Sequence, residues 1–174
     1  MNGRFPSSVP TCRLAAMTEH DLEDLVDLDR YPLHDPDSPG YLAAVNAARE
    51  SLRTVGCAVV KDLVRPEAIA RLNDEIMERK YTTHFSTQMM NPYFHTTVNN
   101  EFPADHPANT FLERSSGFIP GDSWEPGCAT DVIFRAPTVA RFLADCLEIP
   151  ELYCYADPLA GLTANILDPG QLFT

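Results

Sequence analysis

The sequence is short of basic residues, short of glycine and without a long apolar run, and each shortage removes a class of function. Lys and Arg number 13 against 25 Asp and Glu, a net charge of −12. Phosphate backbones and anionic lipid are bound by clustered cations, so neither nucleic acid nor a membrane surface is an expected partner. The opening residues, MNGRFPSSVPTCRLAAM, hold no apolar segment of the kind a secretory signal needs. No stretch approaches the ~18 apolar residues of a membrane span. The five cysteines (Cys12, Cys57, Cys128, Cys146, Cys154) are odd in number and form no C-x-x-C, which fits a reducing cytoplasm better than a disulfide framework. Also missing are G-x-G-x-x-G, the phosphate-binding loop, G-x-S-x-G and H-E-x-x-H.

What remains is globular material. With 44% hydrophobic and 22% charged residues in 174, the chain suits one domain with an ordinary core. Eight glycines stand against fifteen prolines, which are spread along the chain as punctuation. Cys57, Cys146 and Cys154 lie among apolar residues, where a thiol behaves as a small hydrophobe. The dense acids of Glu19–Asp29 read as a solvated helix face.

Residues 1–17 read as a flexible arm, and 18–174 as one domain. Thr18 offers a cap to a helix carrying Leu22, Leu25, Val26 and Leu28 at helical spacing. Ser38 and Pro39 open a second helix over 39–53, with Leu42, Val45, Ala48 and Leu52 on one side and Gly56 after its end. Cys57-Ala58-Val59-Val60 is a short apolar run expected as a buried strand. Pro66 starts a third helix over 66–79, with Ile69, Leu72 and Ile76 facing inward. The helical part thus occupies 18–80. Residues 81–126 have no sustained period and read as an irregular, lid-like stretch. A helix over 138–147 follows Pro137 and turns Val139, Phe142, Leu143, Cys146 and Leu147 inward. Residues 152–155 and 162–167 are β-prone, and Asp168-Pro169-Gly170 suits a type II turn. Gln171 to Thr174 then open a further strand, so the expectation is a fragment with an incomplete sheet.

The histidines are His20, His34, His84, His95 and His106. A facial-triad iron site uses two imidazoles and a carboxylate, most economically as His and Asp two residues apart on a strand. None of the five has that spacing. His34 has Asp35 and Asp37 at +1 and +3, and His20 has Glu23 at +3 on a surface helix. His84, His95 and His106 are loop histidines that reach a site only across a lid. The chain itself therefore offers no metal ligands and no catalytic residue.

Two segments resemble the iron(II)/2-oxoglutarate-dependent oxygenases. LRTVGCAVVKDLVRPEAIARLN, 52–73, is similar to their opening: a helix ending in glycine, a strand, then a helix starting at proline. YCYADPLAGLTANILDPGQLFT, 153–174, resembles the strand and hairpin that lead into the H-x-D or H-x-G motif of free-amino-acid hydroxylases and halogenases. FLERSSGFIP, 111–120, resembles that branch's segment before its helix. The resemblance implies an α+β fold, with N-terminal helices packed on the beginning of a double-stranded β-helix (jelly roll). It also implies iron(II) and 2-oxoglutarate as cofactors of a complete protein acting on a small-molecule substrate. Asp after the first histidine implies hydroxylation; Gly opens a position for halide. The iron-binding histidines and the cosubstrate arginine are expected beyond Thr174, so no cofactor is expected to bind tightly to this chain.

Within the chain, alternation puts Thr163, Asn165 and Leu167 on one face of a strand. Asn165 is then either a hydrogen-bonding group for cosubstrate or substrate, or an Asn satisfied by backbone. Gln171 and Phe173 share a face where the metal strand is expected to begin. Arg114 is a candidate for a substrate carboxylate, since its fork suits bidentate pairing, with a surface salt bridge as the alternative. Trp124 reads as the plug of a small satellite core. The rival to the oxygenase is a non-catalytic acidic module that binds a protein partner.

Overall fold

The computed structural model describes residues 19–171. The arm at 1–17, the cap at Thr18 and the candidate Phe173 lie outside them. Among the described residues the chain forms five α-helices and one three-stranded antiparallel sheet, an α+β arrangement.

Punctuation sets the helices. Helix α1, Glu19–Glu23, is short. Helix α2, Pro39–Val55, starts where the Ser38 side chain accepts from the Tyr41 N–H at 3.3 Å. It stops at Gly56, whose φ of 76° is cheap only without a Cβ. Helix α3, Pro66–Arg79, has the expected bounds, with proline in its first turn. Helices α4, Ala129–Arg135, and α5, Pro137–Cys146, meet at the extended Ala136.

The first expected helix is cut short at Glu23 because the chain finds backbone partners elsewhere. Val26 pairs with Val64 as an isolated antiparallel bridge. The Asp27 N–H donates to Leu63 O and the Arg65 N–H to Leu25 O, both at 2.9 Å. Leu22, Leu25, Val26 and Leu28 are nevertheless all buried. They join Tyr41, Val45, Phe142 and Cys146 in the main core, where the Tyr41 and Phe142 rings meet edge-on at 5.6 Å.

The expected inward faces of three helices hold in part. Val45, Ala48, Phe142 and Cys146 are buried, and Leu72, Ile76 and Val139 pack against the cores, while Leu42, Ile69, Leu143 and Leu147 are exposed. Tyr41 of α2 and Ala68 of α3 are buried in addition. Where two apolar stripes overlap, helical spacing alone does not choose between them.

The sheet runs β1, His84–Met90, then β2, Leu112–Ile119, then β3, Ala164–Ile166, in that order. Two of its strands therefore lie inside the stretch expected to be irregular. Neither shows alternation because β1 and the start of β2 are exposed on both faces. Conversely, the expected strand at Cys57–Val60 takes no regular secondary structure and pairs with nothing among the described residues, and Val59 is 82% exposed. Residues 152–155 behave alike, and Cys57 and Cys154 are consequently exposed rather than buried. An apolar run becomes a buried strand only when neighbouring strands supply hydrogen bonds and a covering layer.

A satellite core under the sheet holds Ile119, Trp124 and Leu162, with Ile76 of α3 packed against it. Trp124 is the expected plug. The turn at 157–161 comes so close to Gly121 that a Cβ there would sit 2.2 Å from Pro158 O. No helix among the described residues is long and apolar enough to cross a membrane.

Candidate functional site

Strand alternation gives the sheet two unlike faces. Glu113, Ser115, Gly117 and Ile119 of β2 share one, with Ala164 and Ile166 of β3 opposite the last two, and its far end meets the satellite core. Leu112, Arg114, Ser116 and Phe118 share the other, facing the same way as His84, Ser86, Gln88 and Met90 of β1. Asn165 is the register partner of Phe118 and lies on this second, largely polar face.

Two sequence candidates are thus brought to one surface. Arg114 and the position of Asn165 are separated by four residues along β2, about 13 Å of strand. Asn165 is exposed, and Thr163 and Leu167 are exposed with it, as alternation requires. Gln171 is placed differently. Its side-chain oxygen accepts from the Asp168 N–H at 2.8 Å, and its own N–H donates to Asp168 O at 3.0 Å. Gln171 closes the type II turn, with Gly170 at φ 88° in the position that needs it.

Arg114 stands in a built environment. Its guanidinium lies over the Phe94 ring, 4.8 Å from the centroid, and Nη1 approaches Met90 Sδ at 3.8 Å. Together with Asn91, Pro92 and Leu112 these residues line a pocket of about 140 Å³. Asn91 organises it from below. This buried side chain donates to Ala108 O at 2.6 Å and accepts from the Tyr93 and His95 N–H groups at 3.0 and 2.9 Å. The tight loop so formed carries Phe94 at φ 63°, a backbone region that a bulky residue enters at a cost of roughly 1–3 kcal/mol. Phe94, Met90 and Asn91 were not singled out by sequence reasoning. The Asn91-Pro92 dipeptide, a turn signal, was the available clue.

The histidines separate. His84 lies on the polar face, its ring 5.6 Å from that of Phe118. His106 stacks on Phe102 at 4.3 Å and accepts from the Ala108 N–H through Nδ1. No three His, Cys, Asp or Glu side chains among the described residues gather as a metal-binding group.

Perturbed titrations often mark active sites, yet here the clear ones lie in the framework. Burial, then the hydrogen bond to Asp145, pushes Tyr41 up to about 12. Burial pushes Glu75 upward, but the Thr130 and Ala129 N–H groups, the Thr130 hydroxyl and Arg71 outweigh it and hold the carboxyl below its ordinary value. Burial raises the thiols of Cys128 and Cys146.

Comparison with protein-family models, with curated proteins and with solved structures returns no match. The functional reading therefore rests on the residues themselves.

Proposed function

We propose that this chain forms the helices and first sheet strands of an iron(II)/2-oxoglutarate-dependent oxygenase acting on a small molecule. The jelly roll of that family is the finer form of the fold in this reading. The observation that carries it is the asymmetric antiparallel sheet: one face meets the satellite core while the other holds Arg114 and Asn165 in a polar surface. The preceding order supports it as well, from α2 through the Gly56 stop and a short apolar segment to the proline-led α3.

No group of three His, Cys, Asp or Glu side chains that could hold a metal is gathered among the described residues. The metal ligands in this reading come from residues after Thr174, and no chemical step is derived through the metal. The role left to this chain is to present a substrate-facing wall.

The coding sequence after the Thr174 codon tests the proposal. A histidine followed two positions later by Asp or Gly supports it, and separates hydroxylation from halogenation. A stop codon overturns it. One observation favours the non-catalytic acidic module instead: Val59, Tyr153 and Tyr155 are 82%, 75% and 77% exposed on segments outside any helix or strand. Large apolar side chains exposed in this way suit contact with a partner protein.

A further inference from the structure

The pocket beside Arg114 has a defined chemistry of its own. Met90, Pro92, Phe94 and Leu112 give it apolar walls, Asn91 is neutral, and Arg114 is its one charged lining residue. At about 140 Å³ it matches a cavity of roughly 150 Å³ that admits a benzene-sized molecule. Its wall is held in place: the Asn91 hydrogen bonds hold the loop, and the loop holds Phe94 in a strained conformation against the guanidinium. Strain of this kind persists only where surrounding structure enforces it, and it gathers at ligand clamps. A guanidinium lying over a ring keeps that contact when a carboxylate binds in the plane of its fork.

We propose that this pocket binds a small monocarboxylate with a flat or branched apolar body, the carboxylate on Arg114 and the body between Met90, Phe94 and Leu112. The inference deepens the oxygenase reading, and rests on it only in taking the bound molecule as substrate. Phe94 is then a specificity residue, because its ring sets the depth available to the apolar body. The net charge of −12 adds selectivity, since the surrounding field disfavours an anion that lacks a specific cationic seat.

The test is titration of the chain with benzoate, with the neutral isostere benzamide and with sulfate, followed by amide chemical shifts and calorimetry. Benzoate is expected to bind saturably and to shift Met90, Phe94 and Arg114. Benzamide is expected to bind about tenfold more weakly or worse, the size of losing a hydrogen bond to a charged group. Arg114→Gln should show the same loss for benzoate. Leu112→Trp covers the case in which that variant fails to fold: it fills the pocket from a half-exposed position, keeps Arg114 and should abolish binding. No binding of benzoate, equal binding of benzamide, displacement of benzoate by equimolar sulfate, or undiminished binding to Leu112→Trp each overturns the proposal. A stop codon after Thr174 removes the oxygenase reading and leaves a positive binding result standing. A His-x-Asp there with no benzoate binding does the reverse.

Discussion

The helical body and the sheet are stabilised by different means. Fourteen described residues are buried in the main core, drawn from α1 to α5 and the segment between α1 and α2. Only Ile119, Trp124 and Leu162 are buried beneath the sheet. Helix α3 belongs to both, giving Ala68 to the main core and Ile76 to the satellite. The sheet is otherwise tied down by polar contacts. Arg79 of α3 donates to Ser123 O at 3.0 Å and lies over the Trp124 ring, 5.5 Å from its centroid. Large apolar burial makes a unit that unfolds as a whole; a thin core with polar ties makes one that opens locally. Candidate binding residues sit on the thin unit, where a ligand has most to add to stability.

Two truncations test this contrast most strongly. Phe142 is fully buried between α2 and α5, so Phe142→Ala is expected to cost about 3–5 kcal/mol, read from the urea midpoint. Ile119 is equally buried but in the small core, and Ile119→Ala is expected to cost about 2–4 kcal/mol. Hydrogen exchange distinguishes their reach. Ile119→Ala should release the β1 and β2 amides while α2 and α5 stay protected, whereas Phe142→Ala should weaken every element. Equal loss of α2 and α5 protection in Ile119→Ala would break the comparison.

The next effect appears only at high pH. Tyr41 donates to Asp145 Oδ2 across the α2–α5 contact and keeps its proton up to about 12, against an ordinary value of 10.0. The unfolded chain loses that proton first, so this contribution to stability is intact below pH 10 and falls away as pH rises toward 12. The loss totals roughly 2–3 kcal/mol by linkage. Tyr41→Phe should flatten that alkaline decline in urea midpoints. An unchanged slope would mean that the helical body does not hold the phenol as described.

Glu75 works in the opposite pH range and bridges the two regions. From α3 it accepts from the Ala129 and Thr130 N–H groups at 2.7 and 3.0 Å and from the Thr130 hydroxyl at 2.8 Å, capping α4. Its folded value lies below the ordinary 4.5, so its contribution is complete above about pH 4.5 and lost as pH falls through the folded value. Glu75→Gln is expected to cost about 1–2 kcal/mol at neutral pH, the worth of a helix cap, and to soften the acid limb. A neutral-pH cost below the measurement error would deny Glu75 the capping role.

How much of this was legible in the sequence follows the same division. Helices α2 and α3 were readable because Ser38, Pro39, Gly56 and Pro66 act locally, through caps and a fixed φ. The turn at Asp168-Pro169-Gly170 was readable for the same reason. Strands β1 and β2 were not, since pairing across the long connection 91–111 leaves no local mark when both faces are exposed. The run at Cys57–Val60 misled in the other direction, because apolar content without neighbouring strands does not make a sheet. Of the candidates, Arg114 and Asn165 were found by residue type, and alternation predicted the facing of Asn165. Their common face came only with the β2–β3 register. Phe94 was invisible because its position depends on the hydrogen bonds of Asn91.

The smallest effect bears on whether the sheet's ties are individually minor. Lys80, just after α3, reaches Asp168 Oδ1 at 2.8 Å, with side chains 40% and 43% exposed. Solvent screens such a pair, and its worth is expected to be at most about 0.5 kcal/mol. Lys80→Met should therefore leave the urea midpoint almost unmoved. Its signature should be local: faster exchange of the Gln171 amide, which donates to Asp168 O inside the turn. A global cost above about 2 kcal/mol would mean that this one contact fastens the turn and β3 to the helices. The sheet would then be secured by a single clasp rather than by several small ties, and the division between a packed body and a loosely held binding layer would have to be redrawn at α3.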